Sequence, residues 1–352
     1  MDTPLYKYIL VGCGAIAPRH IREILRTGTL TAVCDTDPER LSEYMTMYHI
    51  PGYASFDTLM SAGLTADIVV LCTPNGYHAS QSIQAMQQGY HVICEKPMAL
   101  KSKDAALMLA VAKQTNKSLS IVKQNRFNGS ILQLQQWIAS GASGQVYSLS
   151  MNCLWNRDTH YYTSSTWRGT KELDGGILYT QFSHYIDFLY WIFGEVIEIK
   201  SLASNVCHRE IIDFDDQGVA ILRFESGVLG TIHYSINAFE KNMESSLTIL
   251  AEHGSIRIGG LSANTIEYQH KSGSAFSIPD TTTHINQYPN YAGSVSNHHF
   301  VYDQVLNGLQ SNVYNVQSAY EAMKTVELIE RIYALSPLPT GQAGFVGGWG
   351  VE

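Results

Sequence analysis

Charge is scarce in this chain: Asp, Glu, Lys and Arg make up 15 % of its 352 residues, against about 25 % in typical domains. So few charges leave neutral surface, which suits contacts between subunits. Basic residues are the scarcer sign, 23 Lys and Arg against 31 Asp and Glu, and a formal charge of −8 argues against a nucleic-acid partner. No run of 18 apolar residues occurs, so no bilayer-spanning helix is expected. The opening residues, with Asp2, Pro4 and Lys7 around an apolar run, lack the shape of a signal peptide. The expectation is a soluble cytoplasmic protein with no membrane partner. Cysteine is sparse too: six residues, at 13, 34, 72, 94, 153 and 207, form no CxxC pair. Four of them stand at or beside the ends of strand-like runs, as reduced packing residues do, rather than disulfides or zinc ligands. The pair His298-His299 has no carboxylate or thiol spacing around it, so no metal is expected. No internal repeat is present.

What is there is a chain long enough for two domains, with 45 % hydrophobic residues to fill their cores. Residues 1–123 alternate strand-like and helix-like runs, as in an α/β doubly wound parallel sheet. Tyr6 to Val11 ends in Gly12-Cys13-Gly14-Ala15-Ile16-Ala17, followed by Pro18 and a helical pattern. This is a GxGxxA variant of the dinucleotide fingerprint: Gly12 for the tight turn, Gly14 for backbone approach to a pyrophosphate, Ala17 for helix-on-strand packing. Leu30 to Cys34 then ends in Asp35, 21 residues after Gly14, the spacing of a carboxylate on the adenosine ribose. Asp35 would repel a 2′-phosphate, which favours NAD over NADP, while Arg40 keeps that choice open. Asp37-Pro38 marks a helix start. The run Asp67 to Cys72 leads into Thr73-Pro74-Asn75-Gly76-Tyr77-His78, a loop on the strand-end rim where ligands bind in open parallel sheets, although Thr73 and Asn75 are also ordinary turn residues.

On the same rim the apolar run His91 to Cys94 delivers Glu95-Lys96-Pro97. Proline restricts the backbone of the residue before it, so Lys96 is expected in a fixed position rather than as a casual surface charge. The run Leu119 to Lys123 ends at Gln124.

From Gly144 onward the pattern changes to alternating runs: Gln145 to Trp155, Ile197 to Cys207, Gly218 to Phe224, Val228 to Ile236, Ser246 to Ala251 and Ser255 to Ile258. Turns at Ser226-Gly227 and His253-Gly254 predict hairpins. Residues 124–352 are therefore expected to form a second α/β domain with a large, mostly antiparallel open sheet, one face of which needs a cover; a second subunit is the simplest. The stretch Ser272 to Asn297 is expected to be a long loop, either a lid or disordered. Two helices, about 296–309 and 316–334, and a weakly ordered Gly-rich tail from Pro337 complete the chain.

Asp174-Gly175-Gly176 precedes a helical pattern. At 100° per residue, Thr180, Gln181, Ser183, His184 and Asp187 fall within about 160° of one face. Polar groups on a buried helix need partners, which a polyhydroxylated ligand or a structural interface can equally supply.

GxGxIA, Glu95-Lys96-Pro97 and a Gly-Gly helix carrying His184 together resemble the Gfo/Idh/MocA family of sugar and inositol oxidoreductases over nearly the whole chain. Val122-Lys123-Gln124-Asn125-Arg126, Trp155-Asn156-Arg157, Tyr161-Tyr162, Trp167-Arg168-Gly169-Thr170 and Asp174-Gly175-Gly176 are similar to the subgroup that oxidises UDP-N-acetylglucosaminuronate at carbon 3 for bacterial O-antigen. The resemblance implies Lys96 and His184 as the catalytic pair. It implies NAD surrounded by Gly12, Gly14, Ile16, Asp35, Thr73, Asn75, His78, Glu95, Gln124, Trp167 and Arg168. It implies a sugar surrounded by Lys96, Asn125, Arg126, Arg157, Thr180, Gln181 and His184, and a homodimer or homotetramer through the second sheet. One departure stands out: many family members carry Asp four residues before the histidine, and this chain has Thr180. Asp187, one turn beyond His184, either replaces that support or pairs structurally. His184, titrating near working pH, is the expected base, with Lys96 stabilising alkoxide charge. An inositol or free-sugar dehydrogenase, or a 3-ketosugar reductase, shares fold and catalytic pair. A non-catalytic dinucleotide-binding protein is the third reading, and the presence of both catalytic residues weighs against it.

Overall fold

Apolar runs that end on one rim and alternate with helices require crossover connections, because parallel neighbours cannot be joined by a tight turn. A computed structural model of the chain describes residues 6–277, 285–288, 291–314 and 316–337. In chain order come β1 (Tyr6–Val11), α1 (Ala17–Thr27), β2 (Gly28–Cys34), α2 (Pro38–Tyr48), β3 (Gly52–Tyr53), α3 (Phe56–Ser61), β4 (Ile68–Leu71), α4 (His78–Gln87), β5 (His91–Cys94), α5 (Ser102–Thr115) and β6 (Leu119–Ile121). The six strands pair in parallel in the order β3-β2-β1-β4-β5-β6. The order reverses between β1 and β4, and the crevice at such a switch point is where dinucleotides bind. Both sheet faces are buried: Tyr8 and Leu10 of β1 enter one core cluster, Ile9 and Val11 the other. Asp37 caps α2, accepting the N–H groups of Glu39 and Arg40, with Pro38 in its first turn.

The second half contains α6 (Gly129–Ala139), β7 (Val146–Leu154), α7 (Thr159–Thr163), α8 (Ile177–Thr180), α9 (Ser183–Phe193), β8 (Val196–Ser204), β9 (Gln217–Phe224), β10 (Leu229–Ser235), β11 (Glu244–Ala251), β12 (Gly254–Gly259), β13 (Thr265–Lys271), β14 (Ile285–Tyr288), β15 (Tyr291–Val295), α10 (His298–Ser311) and α11 (Val316–Leu335). Seven strands form one sheet in the order β13-β12-β11-β7-β10-β9-β8. Only β7 and β10 pair in parallel; the other contacts are antiparallel, including both expected hairpins. Strand β13 was not expected: its residues, on the sheet edge, carry little apolar alternation. The stretch expected as a loop from Ser272 holds the β14-β15 hairpin; residues 278–284 and 289–290 of it lie outside the described residues, as does the tail from 338.

Two differences bear on the site. The polar-faced helix breaks into α8 and α9: the Gln181 and Phe182 N–H groups both reach the Ile177 carbonyl, at 2.9 and 3.0 Å, while Phe182 plugs the core with no exposed surface. The far end of the chain also returns to the first sheet. Val301, Tyr302, Val305 and Leu306 of α10 join the core around Tyr8 and Leu10, so the division at 123/124 describes chain order more than packing. The outer face of the seven-stranded sheet exposes Ile197, Leu202, Val219, Ile221 and Leu229.

Candidate active site

The glycine loop after β1 is shaped by contact. Gly12 has φ of 92°, and a Cβ there would lie 2.6 Å from the Cys72 carbonyl oxygen, so only glycine fits. A Cβ on Gly14 would meet nothing within 4 Å, which leaves open space beside Ile16, the N-cap of α1. Asp35 closes the loop from the end of β2, accepting the Cys13 N–H at 2.6 Å and the Asp37 N–H at 2.8 Å.

The β4 rim is tied to the second domain. Gly76 donates its N–H to the Leu173 carbonyl at 3.0 Å, and Asn75 Nδ2 donates to the Asp174 carbonyl at 2.8 Å and to Thr180 Oγ1 at 2.7 Å. Thr73 Oγ1 donates to Gln81 Oε1 at 2.6 Å. His78 departs from the expectation that it faces the cofactor. Its ring has no exposed surface and lies between the carbonyls of Pro97, 2.7 Å from Nδ1, and Thr73, 2.9 Å from Nε2. Burial lowers its pKa, and its position makes it a brace between two loops.

Glu95 and Lys96 leave β5 in different directions. Glu95 Oε1 lies 2.9 Å from His20 Nε2 and 3.6 Å from His298 Nε2, and Oε2 accepts the Lys96 N–H at 3.1 Å. Burial alone would raise its pKa, but hydrogen bonds and charge from the two histidines hold it well below the usual carboxylate range. The donor atoms of His20, Glu95 and His298 all lie within 4.8 Å of one another, a grouping that spacing in sequence did not suggest. The His20 ring is already engaged at both nitrogens, Nδ1 lying 3.0 Å from the Tyr302 hydroxyl, and the group ties α1, β5 and α10 together.

Lys96 reaches the opposite way, its Nζ donating to the Thr180 carbonyl at 2.6 Å. The Lys96-Pro97 peptide is cis. Burial lowers the Lys96 pKa, opposed by Glu95 and Asp174. Lys96 and His184 line one cavity of about 20 Å³ with Lys123 and Asp187, room for about one water. His184 Nε2 is buried without a hydrogen-bond partner. The histidine does not titrate near working pH as expected: burial, then the Lys96 charge, pushes it down to about 3, so the imidazole is neutral in the free protein.

Around this pair the polar helix face splits in two. Gln181 accepts from Arg157 Nε at 2.8 Å and donates to the Tyr161 hydroxyl at 2.8 Å. Arg157 also donates to Asn156 and Asn242 and lies over the Trp155 and Tyr161 rings. Arg168 stacks 4.3 Å from the Tyr161 ring centre, beside the half-buried Trp167. Thr180 Oγ1 donates to the Asp174 carboxylate, whose other oxygen accepts the Gly169 N–H at 2.8 Å. Burial pushes Asp174 up to about 6. In sequence Asp174 is one member of the Asp-Gly-Gly motif; its burial, 1 % exposed, is what marks it.

Asp187 points elsewhere. It meets Lys123 Nζ at 2.7 Å, Arg126 through both oxygens at 2.5 and 2.8 Å, and Thr325 Oγ1 at 3.0 Å. Arg126 completes its fork on Glu321 and lies 4.6 Å from the Trp191 ring centre. Arg126 was expected around the sugar; its guanidinium donates from all three nitrogens to two carboxylates, and the partner Glu321 stands far along the chain, where no spacing rule reaches. Asp187 is held by these pairings, and its charge also acts on His184, opposing the fall of its pKa.

A dinucleotide fits what is present. The crevice offers the open side of Gly14, and Gln124 Oε1, both amide atoms of Asn125 and Arg168 Nε are buried without hydrogen-bond partners. Gln124 Nε2 donates to Ser294 Oγ at 3.1 Å.

Comparison with known proteins agrees with the geometry. Residues 6–122 match the NAD-binding Rossmann fold of an oxidoreductase family, and residues 131–257 match the GFO/IDH/MocA C-terminal domain. The crystal structure of the WlbA dehydrogenase from Bordetella pertussis, in complex with NADH and UDP-GlcNAcA, is 31 % identical, covers 95 % of this chain and 97 % of its own, and superposes with a TM-score of 0.84. The WlbA enzyme from Chromobacterium violaceum, in complex with the same two molecules, is 32 % identical over 96 % of this chain and 95 % of its own, with a TM-score of 0.86. The D-glucoside 3-dehydrogenase of Escherichia coli is 25 % identical over 244 residues, 66 % of this chain and 68 % of its own. Two family matches that together span most of the chain, and full-length likeness to solved dehydrogenases, place the chain in the Gfo/Idh/MocA family of NAD-dependent oxidoreductases.

Proposed function

We propose that this enzyme oxidises the 3-hydroxyl of a UDP-linked N-acetylhexosaminuronate to the 3-keto sugar, in the synthesis of a bacterial surface glycan. The observation that carries this reading is likeness, at 31 to 32 % identity along almost the full length, to two dehydrogenases bound to NADH and UDP-GlcNAcA. Arg157 and Arg168, held beside Tyr161, supply the cations that a carboxylate or diphosphate needs.

In this reading Gly12, Gly14, Ile16, Asp35, Thr73, Asn75, Glu95, Gln124, Trp167 and Arg168 hold NAD, and Asn125, Arg157, Thr180 and Gln181 surround the sugar. NAD, when bound, accepts the hydride from carbon 3. His184, neutral before substrate arrives, takes the hydroxyl proton at Nε2. Lys96 donates a hydrogen bond to the same oxygen and stabilises its developing negative charge. Thermal-shift titration with UDP, UDP-GlcNAcA and myo-inositol tests the substrate class. Stabilisation by the UDP compounds is expected; stabilisation by inositol alone removes the nucleotide-sugar reading. A free-sugar dehydrogenase is the second reading, favoured by the similarity to the D-glucoside enzyme.

The apolar outer face of the seven-stranded sheet is, in the same proposal, covered by a second copy of the chain. Ile221→Asp is expected to lower the mass measured by light scattering to that of a monomer, and an unchanged mass counts against the interface.

A further inference from the structure

One buried carboxylate near Lys96 has no part in the reaction as set out above. Asp174 is 1 % exposed. One of its oxygens receives Thr180 Oγ1 and the other the Gly169 N–H. Thr180 is the residue whose backbone carbonyl receives Lys96 Nζ, at 2.6 Å. A single threonine therefore joins the ammonium and the carboxylate, one at its main chain and the other at its side chain. The remaining carboxylates in the neighbourhood are committed. Glu95 is taken by His20 and by the Lys96 main-chain N–H, and Asp187 by Lys123 and Arg126.

We propose that Asp174 is a positioning residue for Lys96: through Thr180 it fixes the carbonyl on which the ammonium rests, and its charge adds to that of Glu95 in keeping the ammonium protonated. This rests on the reading of Lys96 as the group that stabilises the sugar oxygen. The chemistry requires such a partner, because a buried ammonium without one gives up its proton, and a neutral amine stabilises an alkoxide poorly. Lys96 also faces Glu95 from the end of β5, Arg157 from beyond β7 and His184 from α9. Asp174 faces Arg168 and Tyr162 besides Lys96. Burial pushes Asp174 up to about 6, while burial and the Lys96 charge push His184 down to about 3, so an acid limb near pH 6 is assigned to the aspartate by its loss in a variant without the carboxylate.

The test is the pH dependence of kcat/KM in wild type, Asp174→Asn and the double variant Asp174→Asn/Thr180→Asp, with any hydroxyl substrate the wild type oxidises. Wild type is expected to show an acid limb near pH 6. In Asp174→Asn that limb disappears, the alkaline limb moves about one unit or more to lower pH, and activity at neutral pH drops roughly tenfold. The double variant returns a carboxylate to the threonine position and is expected to recover both limbs. If Asp174 merely holds the turn at Gly169, the single variant melts earlier with unmoved limbs and the double variant rescues nothing; that result overturns the proposal. Thr180→Val supplies a second route should Asp174→Asn fail to fold: it removes the bridging hydroxyl and is expected to move the alkaline limb the same way, and an unmoved limb counts against the proposal. An NMR titration of the Lys96 side chain, assigned with Lys96→Arg, needs no substrate. A lower midpoint in Asp174→Asn supports the proposal and an equal one refutes it, whichever sugar the enzyme proves to use.

Discussion

Two groups of buried charge lie along the same polar stripe of α8 and α9, and they are built on opposite terms. Lys123, Arg126, Asp187 and Glu321 form a paired set, two cations against two anions, with both Asp187 oxygens and each Arg126 nitrogen engaged. Lys96, Thr180 and His184 form an open set: His184 Nε2 and Ser183 Oγ are buried without partners, and so are both amide atoms of Asn125 at the end of the first sheet. Buried polar groups are nearly always satisfied, so the unpartnered atoms beside His184 leave contacts for a ligand, while Lys123, Arg126 and Glu321 line a cavity of about 280 Å³. Periodicity could not make that distinction, since Thr180, Gln181, Ser183, His184 and Asp187 share one stripe in sequence.

The comparison can be broken most sharply at the open set. Lys96→Ala or His184→Ala is expected to lower kcat by about 10²- to 10⁴-fold while NADH binding, read by fluorescence, stays near wild type. Near-normal turnover in either variant would remove the catalytic assignment. At the paired set the expectation reverses. Arg126→Ala leaves Asp187 and Glu321 short of a buried cation and should cost about 3–5 kcal/mol in urea unfolding. A variant of native stability that lost only sugar binding would return Arg126 to the substrate site.

Acid stability separates the two sets more finely. The folded-state pKa of His184 is depressed from 6.5 to about 3 by burial and Lys96, so its contribution is complete above the unfolded value and is lost as pH falls from about 6.5 toward 3. Asp187 is held below its ordinary 3.8, burial being outweighed by Arg126 and Lys123, so its contribution is lost only further down. His184→Asn should therefore flatten the upper window by up to about 1.4 kcal/mol per pH unit and leave the lower one unchanged; equal slopes in chemical denaturation from pH 6.5 to 4 would refute this. The smallest effect is expected from Thr180→Asp alone. A second carboxylate beside Asp174 raises the shared titration, moving the acid limb of activity up by about one unit, and profiles that coincide with wild type would speak against the contact.

Much of the first sheet was legible in the sequence. Gly12, Asp35, the Asp37-Pro38 helix start and the run into Glu95-Lys96-Pro97 all report local rules of turn, cap and period. The second domain was legible where hairpins are local, at Ser226-Gly227 and His253-Gly254, and less so at β13, an edge strand without clear alternation. The partners of two site residues were not legible: the Thr73 and Pro97 carbonyls that hold His78, and the Asp187 and Glu321 carboxylates that hold Arg126.

By itself, then, the sequence determined the parallel sheet, the glycine loop and the delivery of Lys96 to the cofactor rim, because backbone geometry and strand period act over a few residues. Only the tertiary structure decided which buried charges are paired and which are open, that His184 is neutral, and that Asp174 rather than Asp187 is the carboxylate joined to Lys96. Burial free energy depends on partners brought together across the whole chain, and no local pattern records them.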